Sequence, residues 1–131
     1  MPRKTVIAIV DDDQSVREAL TSLVRSLGYV AMAFECADDL LKSRRRRNVS
    51  CVIADVQMPG MTGLELHNRL VASGEPIPVI LITGYAQELE RARNVNVRVL
   101  SKPFDIALLE SMLQTIARQR ELGAHAHGRA T

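Results

Sequence analysis

Thr5-Val6-Ile7-Ala8-Ile9-Val10-Asp11-Asp12-Asp13-Gln14-Ser15-Val16-Arg17-Glu18-Ala19-Leu20-Thr21-Ser22-Leu23-Val24-Arg25-Ser26-Leu27-Gly28 is the stretch that decides the fold. Its first six residues are almost wholly apolar and rich in β-branched types, then stop at three acids. Such a run reads as a strand buried on both faces. Val16, Leu20, Leu23, Val24 and Leu27 follow at i, i+4, i+7, i+8 and i+11, the stripe of an amphipathic helix, and Gly28 ends it. Ser15-Val16-Arg17-Glu18 has the pattern of a capping box, which competes with Asp13 for the start of this helix. A doubly buried strand feeding a helix is the repeating unit of a parallel sheet covered on both sides.

The same unit recurs along the chain. Further strands are predicted at Tyr29–Phe34, Cys51–Ala54, Pro78–Ile82 and Val97–Leu100. Helices are predicted from near Ala37, from near Thr62 with Leu64, Leu66, Leu70 and Val71 as apolar positions and Gly74 as the stop, and after Pro103 with Ile106, Leu109, Leu113 and Ile116. Between the last two strands, Gln87–Arg93 is short and charged, so the fourth helix is expected to be shortened or irregular. The reading is a single α/β domain, doubly wound around a five-stranded parallel sheet. The domain is expected over residues 1–120. Residues 121–131 lack an apolar period and are expected to form a disordered tail.

Composition removes several classes. At 131 residues with 47% hydrophobic and 24% charged side chains, the chain suits one globular core and not a disordered segment. A net charge of +2 and 3% aromatics supply neither the field nor the stacking surfaces for bulk nucleic-acid binding, so no direct DNA contact is expected. Val6–Val10 is too short for a signal-peptide core and no run reaches membrane-spanning length, which points to a cytoplasmic protein without membrane contact. Cys36 and Cys51 lack metal-knuckle spacing and read as packed side chains.

Ligands of open parallel sheets bind outside the carboxyl ends of the strands. Here strand one ends in Asp11, Asp12 and Asp13, strand three in Asp55, strand four in Thr83, and strand five in Ser101 and Lys102. Carboxylates about 4 Å apart repel by about 4 kcal/mol at an effective dielectric near 20, a cost that a hard divalent ion offsets. Mg²⁺ suits a few carboxylates and takes phosphate oxygens as further ligands, with Thr83 and Lys102 then facing the phosphate. The set suits phosphoryl transfer with an aspartate nucleophile. Taken singly, each residue has a plainer role: Asp13 as a helix cap, Asp55 as a turn former before Pro59-Gly60, Thr83 as a strand end, Lys102 as a solvated charge. Four separate strand ends carrying acid, acid, hydroxyl and amine together argue for a site.

The strings Ile-Val-Asp-Asp-Asp-Gln-Ser-Val-Arg, Ala-Asp-Val-Gln-Met-Pro-Gly-Met-Thr-Gly-Leu-Glu-Leu, Pro-Val-Ile-Leu-Ile-Thr-Gly and Ser-Lys-Pro-Phe occur in that order. They resemble the receiver domains of two-component response regulators, and within these the FixJ-like receivers, over about Thr5 to Arg118. The resemblance implies a flavodoxin-like sheet of strand order 2-1-3-4-5. It implies that Asp55 accepts a phosphoryl group from a histidine kinase or phosphotransfer protein, and that Asp11, Asp12, Asp55 and the Gln57 backbone carbonyl hold Mg²⁺ or Mn²⁺. It further implies that Thr83 and Lys102 hold the phosphoryl oxygens, that Lys102-Pro103 is cis, and that Gln57 and Tyr85 modulate a slow self-dephosphorylation. In this family the output is binding, with a phosphorylation-dependent homodimer as one form, and not enzymatic turnover. Two departures bear on switching through Thr83: the segment between Thr83 and Lys102 is short, and Val99 stands where the family has an aromatic ring.

Other classes fit less well. An aspartyl phosphohydrolase of the haloacid-dehalogenase type needs a second Asp two residues after the nucleophile, where this chain has Gln57. A receiver-like interaction module that signals without phosphate is disfavoured by the complete acceptor set, and a nucleotide-binding flavodoxin-like protein by the lack of a Gly-rich loop after strand one. Lys42 to Arg47 reads as the solvated basic end of helix two. His67 reads as a surface residue, and His125 and His127 as incidental. The cognate kinase and the output partner are not legible.

Overall fold

The structure, a computed structural model, describes residues 4–75, 77–84 and 97–130, with side chains as far as Arg120. In chain order it contains β1 (Val6–Val10), α1 (Gln14–Ser26), β2 (Val30–Phe34), α2 (Ala37–Lys42), a 3₁₀ turn (Arg44–Asn48), β3 (Cys51–Asp55), α3 (Gly63–Ala72), β4 (Val79–Thr83), β5 (Val97–Ser101) and α4 (Ile106–Ala130). The strands form one parallel sheet in the order β2-β1-β3-β4-β5. This is the doubly wound fold that the sequence predicts. The chain leaves β1 toward β2 on one side and returns to β3 on the other, so the order reverses between β1 and β3, and ligand crevices form at such reversals.

Side chains alternate across a strand, and here both faces are covered. Ala8, Val10, Val52, Ala54, Val79 and Leu81 pack with Leu40 of α2 and with Leu66 and Leu70 of α3. Ile7, Ile9, Ile53, Ile80 and Ile82 pack with Leu20 and Val24 of α1 and with Leu109, Leu113 and Ile116 of α4. This explains the continuous apolar runs: no strand residue in the middle of the sheet faces water. Cys51 belongs to the second layer, where burial pushes its thiol up to about 12 against a weaker pull from Arg98, and both cysteines are free. Among the described residues, no helix is long and apolar enough to cross a membrane.

Helix ends follow local chemistry. Asp13, not Ser15, caps α1, its carboxylate accepting the Ser15 and Val16 N–H groups at 2.9 and 3.3 Å; Ser15 already lies inside the helix. At α3, Thr62 Oγ1 accepts from Glu65 N at 3.1 Å and Glu65 Oε1 accepts from Thr62 N at 3.3 Å, a reciprocal capping box.

Three expectations change. The basic run is not the end of α2: the chain is extended at Ser43, whose Oγ accepts from Arg45 N, and Arg44–Asn48 forms a separate 3₁₀ turn. Val71 is 53% exposed and not part of the inward face of α3. His67 takes that inward place beside Leu66 and Leu70, because positions 63, 66, 67 and 70 share one side of a helix.

His67 is 7% exposed, its Nδ1 has no hydrogen-bond partner among the described residues, and burial lowers its pKa below 6.5. The unfolded chain therefore takes up the proton first. Stability should fall as pH drops through about 6.5, and go on falling until the lower folded-state value is passed. His67→Leu should flatten this dependence in urea unfolding followed across that window. Parallel stability–pH curves for wild type and variant would contradict the assignment.

Candidate functional site

The acids sit where the sheet reverses. Asp11 directly follows β1 and is 2% exposed; its Oδ1 accepts the Asp13 N–H at 2.9 Å, and its own N–H reaches Phe34 O at 3.2 Å. Asp55 ends β3 and is 7% exposed. Asp12 is exposed at the mouth. One carboxylate oxygen from each of Asp11, Asp12 and Asp55 lies within 4.8 Å of the others, so three strand-end acids converge on a single point. Hard oxygen donors at this density fit a small divalent cation such as Mg²⁺.

Electrostatics reflect the crowding. Burial raises the Asp11 pKa, the Asp13 N–H opposes this, and the Asp55 charge adds to it. Lys102 supplies the compensating cation: its Nζ donates to Asp55 Oδ2 at 2.6 Å, while Asp55 Oδ1 accepts from Gln57 N at 2.9 Å. Burial alone would lower the Lys102 pKa, but the hydrogen bond and charge of Asp55, with Asp11 and Asp12, outweigh it and raise the value. Lys102 is thus held as an ammonium with its side chain 40% exposed. Lys102 also donates its backbone N–H to Thr83 O at 2.8 Å, and the Lys102-Pro103 bond is cis. Thr83, 1% exposed at the end of β4, pairs in register with Ser101.

The predicted residues Asp11, Asp12, Asp55, Thr83 and Lys102 therefore lie at the carboxyl ends of β1, β3, β4 and β5 on one rim. Gln57 joins them through its N–H, with its side chain exposed. Val99 is half-buried on β5, opposite Leu81. Tyr85 and the Gln87–Arg93 segment lie outside the described residues.

Two contributors are missing from the sequence reading. Arg17, one turn into α1, donates from Nη1 to the Asp11 carbonyl at 2.8 Å and holds Nη2 3.9 Å from Glu35, tying the β1–α1 loop to the end of β2. A charge inside a quoted string, four residues beyond the cap, was the available signal. Gly63 opens α3 directly under Asp55: a Cβ there would lie 2.8 Å from the Asp55 carbonyl oxygen and 2.9 Å from Leu81 Cδ2, so only glycine lets the helix approach.

Comparison with known proteins agrees with this geometry. Residues 7–114 match the family described as "Response regulator receiver domain". The chain is 33% identical over 127 residues to transcriptional regulatory protein FixJ of Bradyrhizobium diazoefficiens, covering 95% of this chain and 62% of that protein. It is 36% identical over 122 residues to nodulation protein W of the same organism, covering 90% of this chain and 54% of that protein. The chain thus spans roughly half to two thirds of these curated relatives. The solved structure of response regulator StyR superposes with a TM-score of 0.77 at 33% identity, covering 96% of this chain and 67% of that one. The family match reaches every strand and every member of the acid–lysine cluster, and the chain accordingly belongs to the response regulator receiver domains, signalling modules of two-component systems, within a FixJ-like subgroup.

Proposed function

We propose that Asp55 accepts a phosphoryl group from the phosphohistidine of a histidine kinase or phosphotransfer protein, with Mg²⁺ held by Asp11, Asp12, Asp55 and the Gln57 backbone carbonyl. One observation carries this reading: the Asp55 carboxylate lies at the switch point of the sheet, with an oxygen each of Asp11 and Asp12 within 4.8 Å and Lys102 Nζ at 2.6 Å. An Asp55 oxygen attacks phosphorus as the N–P bond breaks. The electron pair stays on the imidazole nitrogen, and Asp55 carries a mixed anhydride. When bound, Mg²⁺ neutralises the acids and coordinates the incoming phosphoryl oxygens.

The chain's own residues do the rest. Gln57 N–H and Lys102 hold the two Asp55 oxygens before the reaction, and the raised Lys102 pKa keeps its charge available for the phosphoryl group afterwards. The Thr83 hydroxyl meets a second oxygen. Hydrolysis of the anhydride is slow, with Gln57 and Tyr85 as the residues that modulate it. The new negative charge draws Thr83 and its loop inward, and with Val99 in place of a ring the change passes through the backbone after Gly84. The output is a binding surface for another protein or a second copy of the chain.

Incubation with Mg²⁺ and acetyl phosphate, read by intact mass, should add one phosphoryl group to wild type and none to Asp55→Asn. Equal phosphorylation of the variant, or none of wild type, would overturn the proposal.

A further inference from the structure

Apart from the acid site, the strongest charge concentration is Lys42 to Arg47, whose five cations exceed the whole chain's net +2. They are not equivalent. Lys42 is paired with Asp38 at 2.9 Å, and Arg46 is committed to Glu75 at 3.1 Å and to the Leu41 carbonyl. Arg44, Arg45 and Arg47 have no ion pair among the described residues. A 3₁₀ turn has three residues per turn, so Arg44 and Arg47 stand one above the other on a single edge and Arg45 does not. That edge lines a hollow of about 420 Å³, completed by Leu41, Lys42, Ser43 and Arg46; Arg45 is not in its wall.

We propose that this hollow binds a small organic phosphate carrying two or more negative charges. Two guanidinium forks and the Ser43 hydroxyl offer more donors than the two oxygens of a carboxylate accept, whereas a terminal phosphate presents three. Arg46, held by Glu75, anchors the backbone of the turn that carries the two forks. Leu41 and the arginine stems give an apolar floor for the organic part, and the volume lies within the range of small-ligand sites. A nucleic-acid strand fits poorly, because five residues of 3₁₀ turn span only roughly 10 Å and no aromatic ring lines the hollow for stacking.

The test is a titration of the whole chain with ADP, and separately with inorganic pyrophosphate, in EDTA at physiological ionic strength, followed by backbone amide NMR. Saturable shifts centred on residues 41–47 are expected, with ADP the tighter ligand. Arg44→Gln and Arg47→Gln should each weaken ADP by about tenfold. Arg44→Lys, which keeps the charge and loses the fork, should fall between wild type and Arg44→Gln, and Arg45→Gln should leave affinity unchanged. Equal weakening by Arg45→Gln, absence of saturation, or shifts centred on residues 55 and 102 would overturn the proposal. So would saturation by a short DNA duplex where ADP fails, which would make the run a nucleic-acid contact.

Discussion

Asp12→Ala is expected to weaken Mg²⁺ binding by at least the order of 100-fold, since even outer partners of a metal site cost 10- to 100-fold and Asp12 is read here as a direct oxygen donor. The residue is exposed and caps nothing, so the loss is one of charge and ligation and not of folding. Asp11 needs a gentler change. Its Oδ1 holds the Asp13 N–H, and an alanine would leave that donor stranded. Asp11→Asn keeps the acceptor, removes the charge and should weaken Mg²⁺ while the fold persists. Calorimetry decides it: unchanged affinity in both variants would place the ion elsewhere.

Lys102→Ala should separate two quantities that usually move together. Without the ammonium at 2.6 Å from Asp55, three acids face one another uncompensated, so Mg²⁺ should bind more tightly than in wild type. Phosphorylation should nevertheless slow by on the order of 100-fold, because the donor aimed at the developing phosphoryl charge is gone. Metal titration and phosphorylation rate on the same preparation measure both. Weaker Mg²⁺ together with unchanged phosphorylation would contradict the role given to Lys102.

The site was legible because its residues end strands, and strand ends are marked in sequence by the step from apolar to polar: Val10 to Asp11, Ala54 to Asp55, Ile82 to Thr83, Leu100 to Ser101. A parallel sheet with both faces buried forces those steps onto one rim, so fold and site were read from the same pattern. What escaped the reading depended on backbone detail. Asp13 and Ser15 are both good caps, and choosing between them needs the dihedral at Asp13. Seven charged or polar residues after Leu41 look like a helix end until the extended Ser43 divides them. His67 looked superficial because its residue type favours the surface, yet a ten-residue helix pressed on the sheet leaves little choice at positions 66, 67 and 70. Gly63 could be recognised as obligatory only once the Asp55 carbonyl was seen against it.

If the proposal holds, one carboxylate, that of Asp55, becomes an acyl phosphate. Borohydride reduces an acyl phosphate to the alcohol and leaves free carboxylates untouched, so phosphorylated chain treated this way and digested for peptide mass mapping reports the acceptor directly. Homoserine is expected at position 55, dependent on Mg²⁺ and on the phosphodonor, and aspartate at positions 11, 12 and 13. Homoserine at any of those three, with Asp55 intact, would contradict it.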